Sequence, residues 1–300
     1  MDVVEITAAL ANIKLLINES LKNFTFAKVG GKADILAFPK TFTEVKRIII
    51  YANEKKISWI VLGNVSNLIV RDGGIRGIVI LLSEMKKICV NGYLIEVEAG
   101  AQLIDTAQVA LAHSLTGLEF ACGIPASIGG AIFMNAGAYD GEISHIFTSA
   151  KILLDDGIIE TWNARKMNFD YRQSFLQGKK ATILSAKFKL KPGDYPAIKA
   201  QMDKLNYLRQ LKQPLEYPSC GCVFKRPVGF FTGKLIQEAG LQGMKLGGAQ
   251  VSKKHAGFIV NINQATAKDY EELIRHIIKV VKIKFQVELQ PEVRIIGEDE

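Results

Sequence analysis

Small residues crowd one stretch of this chain more densely than an ordinary packed helix uses them. Between Gly117 and Glu142 the densest runs are Gly123-Ile124-Pro125-Ala126-Ser127-Ile128-Gly129-Gly130-Ala131 and Asn135-Ala136-Gly137-Ala138-Tyr139. Where side-chain bulk is missing, backbone can come very close to a neighbour. That neighbour is either a flat ligand or another stretch of protein backbone, and the residues alone leave both readings open. A second segment, Leu62-Gly63-Asn64-Val65-Ser66-Asn67-Leu68, lies between two short apolar runs. A tight turn there presents backbone N–H groups and short polar side chains, a nest that can hold a pyrophosphate. The same letters also make an ordinary turn. Neither Gly-x-Gly-x-x-Gly nor the phosphate-loop Gly-Lys-Ser/Thr occurs, so a nucleotide cofactor would need a different fold.

At 300 residues, 48% hydrophobic and 23% charged, the chain can bury a large core and form two domains. Its apolar runs, such as Ile78 to Leu82, are far shorter than the roughly 20 residues that cross a bilayer, so no membrane insertion is expected. The first 21 residues carry Asp2, Glu5 and Glu19 with helical spacing and do not resemble a secretory signal; a cytoplasmic protein is expected. Cys89, Cys122, Cys220 and Cys222 form no even framework and are read as thiols. The net charge of +8 suits an acidic ligand, but the lysines are spread at helix-surface spacings, as on a solvated basic face. Neither a nucleic-acid partner nor an obligatory protein partner is expected.

Val3, Ile6, Leu10, Ile13 and Ile17 recur at helical spacing and predict an opening amphipathic helix. Strands are expected at Ala33 to Phe38, Ser58 to Leu62, Leu68 to Val70 and Val79 to Leu82. Thr41 and Glu44 have capping-box spacing for a helix that buries Val45, Ile48, Ile49 and Ala52. Asn91-Gly92 predicts a hairpin between Lys87 to Val90 and Tyr93 to Val97, and hence a mixed sheet. A helix over Gln102 to His113 and strands at Ala150 to Leu154, Ile158 to Trp162 and Ala181 to Leu190 follow. Pro192-Gly193 marks the expected boundary between domains 1–192 and 193–300. The second domain should hold a helix from Pro196 to Lys212, a strand at Gly257 to Asn261, a helix over Ala267 to Phe285 and a strand at Glu292 to Ile296.

Five blocks then carry a resemblance: Leu62 to Leu68 with Asp72-Gly73-Gly74-Ile75-Arg76-Gly77, Gly123 to Glu142, Tyr171-Arg172-Gln173-Ser174, Pro218 to Pro227, and Pro291-Glu292-Val293-Arg294. In this order, over about Leu21 to Gly297, they resemble the UDP-N-acetylenolpyruvoylglucosamine reductase family, in its shorter branch without an extra tyrosine-bearing loop. The resemblance implies an α+β chain with an FAD-binding domain of the vanillyl-alcohol-oxidase (PCMH) type and a smaller α/β substrate-binding C-terminal domain. It implies FAD and NADPH as cofactors, hydride delivery by way of the flavin to the enolpyruvyl group of a UDP-sugar, and protonation of the neighbouring carbon. It further implies that Leu62 to Leu68 and the segment containing Gly123, Ile124, Pro125, Ser127, Gly129, Gly130, Asn135, Ala136 and Gly137 hold FAD.

By the same resemblance, Arg172, Cys222 and Glu292 are catalytic, while Tyr171, Lys212, Arg226 and Arg294 bind substrate or nucleotide. A guanidinium can grip a carboxylate with two hydrogen bonds. On residues alone, Arg172 is equally an exposed arginine, Glu292 a strand carboxylate paired on one face with Arg294, and Lys212 a helix-end cation. The chain departs from the family pattern at Val65 and Ala126, where glycine is usual, at Asp140, and at Cys222, which stands where the family has a proton-donating serine. A β-branched residue resists positive φ, so Val65 argues against a left-handed backbone there. Cys220-x-Cys222 as a zinc or redox pair competes, but no second Cys/His pair has ligand spacing and no metal is expected. The competing functions are an alcohol or sugar oxidase on the same fold and a nucleotide-binding homologue without turnover.

Overall fold

Polar caps in the sequence set where several helices begin. In the computed structural model, which describes residues 2–299, the Asp2 carboxylate accepts from the Val4 N–H at 2.9 Å and opens the helix Val3–Ala9. Thr41 accepts from the Glu44 N–H at 3.2 Å and opens Phe42–Glu54, whose buried residues are the expected Val45, Ile48, Ile49 and Ala52. The first helix is shorter than its apolar spacing predicts. Asn12 turns to φ 73°, and Lys14–Ser20 continues as a strand. A left-handed residue ends a helix whatever periodicity follows.

The chain divides into two compact units. The first comprises residues up to Ile17, Ile35–Asn64 and Gly77–Leu208; the second comprises Asn18–Asp34, Val65–Arg76 and Arg209 onward. This is not a single cut at 192/193. Helix Tyr195–Lys212 starts close to the expected boundary, but Ile198, Met202 and Leu205 on it are buried in the first unit's core. Ala27, Val29 and Ile69, from early in the chain, lie in the second unit's core with Tyr270 and Leu273.

The first unit holds an all-antiparallel five-stranded sheet in the order Ile159–Asn163, Phe147–Leu154, Ala181–Lys189, Leu94–Glu98, Ile88–Asn91. The Asn91-Gly92 hairpin forms with Gly92 at φ 58° and Asn91 opposite Leu94. The parallel pairing of Trp59–Leu62 with Ile75–Leu81 belongs to a separate four-stranded sheet. The hairpin and the parallel pair therefore do not share the one mixed sheet predicted.

In the second unit the sheet order is Ser219–Cys222, Phe258–Asn261, Ala249–Val251, Lys245–Leu246, and a parallel pair joins Leu68–Val70 to Arg294–Ile296. The helix Ala267–Phe285 forms over the expected span and buries Tyr270, Leu273, Ile274, Ile277 and Val281. Thr266 and Asp269 close a capping box at its start. Asp72 adds two further bonds there, to the N–H groups of Ala267 at 2.9 Å and Lys268 at 3.0 Å. Among the described residues no helix is long and apolar enough to cross a membrane, and no group of three or more His, Cys, Asp and Glu could hold a metal ion.

Candidate active site

In the first unit, the two small-residue segments meet. Asn64 Nδ2 donates to the Pro125 carbonyl at 2.9 Å, and a Cβ on Gly63 would lie 1.9 Å from Ser127 Oγ. No alanine fits at Gly63 without displacing Ser127. Ser127 in turn caps the helix Ile128–Phe133 by accepting from the Gly130 N–H at 3.3 Å. The two glycines of that helix divide the readings left open by sequence. Gly129 serves packing: its N–H bonds the Ala99 carbonyl at 2.8 Å, and a Cβ there would press on Ala99. At Gly130 an added Cβ would meet only Ser127 Oγ, at 3.3 Å, so this face offers backbone without bulk. A cradle of this kind fits the diphosphate of a flavin dinucleotide.

Asn135, fully buried with φ 43°, is a structural hub. Its Nδ2 donates to Glu142 Oε1 at 3.0 Å and to the Asp170 carbonyl at 3.1 Å, while its Oδ1 accepts from the Ser144 N–H at 2.9 Å. Ala136 and Gly137 follow into a tight hairpin in which Tyr139 and Asp140 both take positive φ. A Cβ on Gly137 would strike the Gly141 carbonyl at 2.6 Å.

This hairpin also seats Arg172. Ser174 Oγ donates to the Phe133 carbonyl at 2.8 Å, and Gln177 Nε2 bonds the Arg172 carbonyl at 3.1 Å, tying the Tyr171 to Ser174 segment to the end of the helix. Arg172 Nη2 then donates to the Gly137 carbonyl at 2.8 Å, and its guanidinium lies 5.0 Å from the Tyr171 ring centre. Burial alone would raise the Glu142 carboxyl. Hydrogen bonds from Ser144 and Asn135 and the nearby charges of His145 and Arg172 outweigh that and hold it below the usual carboxylate range. Glu142 was not singled out by sequence; its spacing from Asn135 carries no signal before the hairpin is seen.

In the second unit, four short backbone segments lie side by side. Val223 N–H donates to the Gly257 carbonyl at 3.0 Å, and the Val223 carbonyl accepts from Glu292 N–H at 2.7 Å. Arg294 N–H donates to the Asn67 carbonyl at 3.1 Å, and Asn67 Nδ2 returns a bond to the Glu292 carbonyl at 3.2 Å. Gly257, Cys222 to Phe224, Glu292 to Arg294 and Asn67 to Leu68 thus form one ribbon. It joins the Val65 to Leu68 half of the predicted cofactor turn to two predicted catalytic residues. Glu292 precedes the strand Arg294–Ile296, so the strand expected from Glu292 begins two residues later, and the Glu292 N–H bonds the Val223 carbonyl instead.

Cys220 and Cys222 would share a face in a regular strand. The ladder to Phe258–Asn261 slips between Ser219 and Cys222, and Gly221 takes φ 78°, which buries Cys220 and leaves Cys222 exposed. Burial pushes the Cys220 thiol up to about 12. Val65 is the other surprise: it is buried and holds φ 49° in spite of its β-branch. Its carbonyl accepts from the Phe26 N–H at 3.3 Å. Val65 thus takes the left-handed backbone that its β-branch argued against.

Lys212 ends its helix exposed. Arg226 donates from Nε to the Phe230 carbonyl at 3.2 Å and lies 4.0 Å over the Phe231 ring, within its own loop. His255, outside every motif read from the sequence, stands beside this ribbon. Gly257 N–H donates to its Nδ1 at 3.1 Å, and a Cβ on Gly257 would lie 3.0 Å from His255 Cε1 and 3.9 Å from Cys222 Sγ. Desolvation, with a smaller contribution from Lys212, lowers the imidazole below its ordinary value.

Residues 33–163 match the family model for an FAD binding domain. With the fold around the Gly63 and Ser127 cradle, this places the chain among FAD-dependent oxidoreductases with a PCMH-type domain. Residues 213–296 match the model of the UDP-N-acetylenolpyruvoylglucosamine reductase C-terminal domain. Curated UDP-N-acetylenolpyruvoylglucosamine reductases from Enterococcus faecalis and Streptococcus uberis are 63% and 60% identical to it, over 97% of this chain and 97% and 96% of theirs. The crystal structure of the Thermus caldophilus reductase superposes with a TM-score of 0.81 at 35% identity, covering 95% of this chain and 98% of that one. The chain belongs to the UDP-N-acetylenolpyruvoylglucosamine reductase family.

Proposed function

We infer that this chain reduces UDP-N-acetylglucosamine enolpyruvate to UDP-N-acetylmuramate with NADPH and bound FAD. This reaction makes a peptidoglycan precursor in the cytoplasm and so serves cell wall biogenesis, cell shape and division. The observation that carries the reading is the ribbon in the second unit. It draws Cys222, Glu292, Arg294 and the Asn67 end of the cofactor turn together from positions far apart in sequence.

Within the first unit, Leu62, Gly63, Asn64 and the Gly123 to Gly137 segment hold the flavin. Gly63, Ser127 and Gly130 form the part where backbone is left open to a ligand. The chemistry FAD supplies when bound is hydride transfer, from NADPH and onward to the methylene carbon of the enolpyruvyl group. Arg172, fixed on the Gly137 carbonyl, grips the substrate carboxylate and stabilises the charge that develops beside it. Tyr171 backs that guanidinium. Cys222 gives its thiol proton to the carbon that bears the carboxylate, and its exposure lets solvent replace that proton afterwards. Glu292 acts in the same half-reaction. Lys212, Arg226 and Arg294 supply positive charge for the diphosphates of the UDP-sugar and of NADPH.

The test is a turnover assay with flavin-loaded protein, NADPH and UDP-N-acetylglucosamine enolpyruvate. One NADPH should be consumed for each UDP-N-acetylmuramate formed. NADPH oxidation that ignores the UDP-sugar and forms no muramate would refute the assignment.

A further inference from the structure

His255 is held by one ring nitrogen and leaves the other unengaged. Its Nδ1 accepts the Gly257 N–H at 3.1 Å, so the ring hydrogen of the neutral imidazole sits on Nε2. Its main-chain N–H is fixed to Ser252 Oγ at 3.2 Å, and its ring packs edge-on to Phe258 with centroids 5.0 Å apart. The ring therefore has little freedom to turn. Among the described residues Nε2 has no hydrogen-bond partner. Glycines border the ring: a Cβ on Gly257 would meet Cε1 at 3.0 Å and one on Gly233 at 3.4 Å. The Cys222 thiol borders the same point above Gly257, at 3.9 Å.

Three observations converge. The ring is oriented by bonds that employ its backbone and Nδ1 alone. Its remaining donor takes no partner from the described residues and is not sealed away from solvent, so a ligand can reach it. It stands beside the thiol assigned the proton transfer, with Lys212 close enough to oppose a second positive charge on it. A neutral ring donor next to an ammonium suits an oxygen anion.

We propose that His255 is a ligand-binding residue of this site, donating its Nε2–H to an anionic oxygen of the molecule that Cys222 serves. This rests on the reductase reading above. Two sources share that chemistry: the carboxylate beside the protonated carbon of the UDP-sugar, and a phosphate of NADPH. The carboxylate is one bond from the carbon that Cys222 protonates and is the nearer candidate.

Two variants separate this role from a structural one. Asparagine reproduces the Nδ1 acceptor but does not reach the place of Nε2; glutamine reaches that place but gives up the bond to Gly257. In flavin-loaded protein, His255→Asn should weaken ligand binding about tenfold or more, the value of a hydrogen bond to a charged group, with its thermal midpoint unchanged. His255→Gln should bind within about threefold of the native protein but melt earlier. Calorimetric titration with the UDP-sugar and, separately, with NADP⁺ reads the effect without turnover. Loss confined to the UDP-sugar identifies the carboxylate, and loss confined to the nucleotide identifies the phosphate. Native binding by His255→Asn, or equal loss in both variants together with lowered midpoints, overturns the proposal. If the native protein binds both ligands but forms no muramate, the reductase reading fails while the titrations still decide the role of His255.

Discussion

Around Gly63 the protein offers backbone and short side chains whose polar atoms mostly have partners already, as in the Asn64 bond to Pro125 and the Ser127 bond to Gly130. Around Cys222 it offers a thiol, an imidazole and long cationic side chains at the ends of short segments, several of them exposed. The first region is a mould, in which shape carries the function and one methyl group is too many. The second is a set of reagents, in which chemical identity matters and the scaffold only has to deliver them. Substitutions should therefore fail differently in the two places: by losing the cofactor in one and by losing a single chemical step in the other.

The largest effect is expected at Cys222. Cys222→Ala should lower turnover by about 10²–10⁴, the usual contribution of a positioned acid, while NADPH still reduces the flavin at its native rate. Cys222→Ser should recover most of the loss. Rapid-mixing absorbance of the flavin separates the two half-reactions, and normal turnover by the alanine variant would pass the proton to Ser219 or to water. Next comes the mould. Gly63→Ala forces a methyl to within 1.9 Å of Ser127 Oγ and should weaken flavin retention by about 10- to 100-fold, the scale of overpacking. Adding Ser127→Ala removes that oxygen and should restore part of the binding, because the next atom, Ser127 Cβ, lies 3.1 Å away. Flavin fluorescence released on dilution measures both; full retention by the single variant would make Gly63 a tolerant turn residue.

Arg172→Lys keeps the charge but loses the planar fork, and should slow oxidation of the reduced flavin by substrate about tenfold while sparing its reduction by NADPH. Equal slowing of both steps would argue against Arg172 as the group that grips the substrate carboxylate. The smallest effect concerns stability. Cys220, raised from 9.0 to about 12, stays protonated in the fold after the unfolded thiol has ionised. Its contribution is complete below about pH 9 and is lost as pH rises towards 12, because the unfolded state then binds fewer protons. Urea midpoints should fall across that window, and fall less in Cys220→Ala. An identical slope in the variant would assign the alkaline loss to other groups, Tyr270 among them.

The same contrast explains what could be read before the fold was seen. Glycine and alanine density narrows the choice to a ligand mould or close backbone packing, and the fold holds both, packing at Gly129 and an open backbone face at Gly130. The helix Ala267–Phe285 and the Asn91-Gly92 hairpin were legible because local periodicity and turn chemistry agree with the tertiary outcome. The strand Lys14–Ser20 was hidden by apolar residues that happen to fall at helical spacing, and only the left-handed turn at Asn12 breaks the pattern. Arg172, Cys222 and Glu292 stood out through family resemblance alone. His255 had no signal of either kind: its importance rests on Gly257 and Cys222, which only the ribbon brings beside it. Val65 was misjudged because a valine's reluctance towards positive φ is a cost of about 1–3 kcal/mol, which a buried side chain and its neighbours can offset.

The two bonds from Asp72 to the start of the helix Ala267–Phe285 span 195 and 196 residues of chain. At about 5–20 residues per second of synthesis, roughly 10–40 s separate the emergence of that carboxylate from the emergence of its partners. Ala27, Val29 and Ile69 wait as well, since the core that buries them is made mostly of residues after Cys220. A ribosome therefore releases the first unit's strands well before the second unit can close. During that interval, apolar segments from early in the chain are exposed to chaperones and proteases, so cellular yield should depend on how quickly the last third of the message is translated.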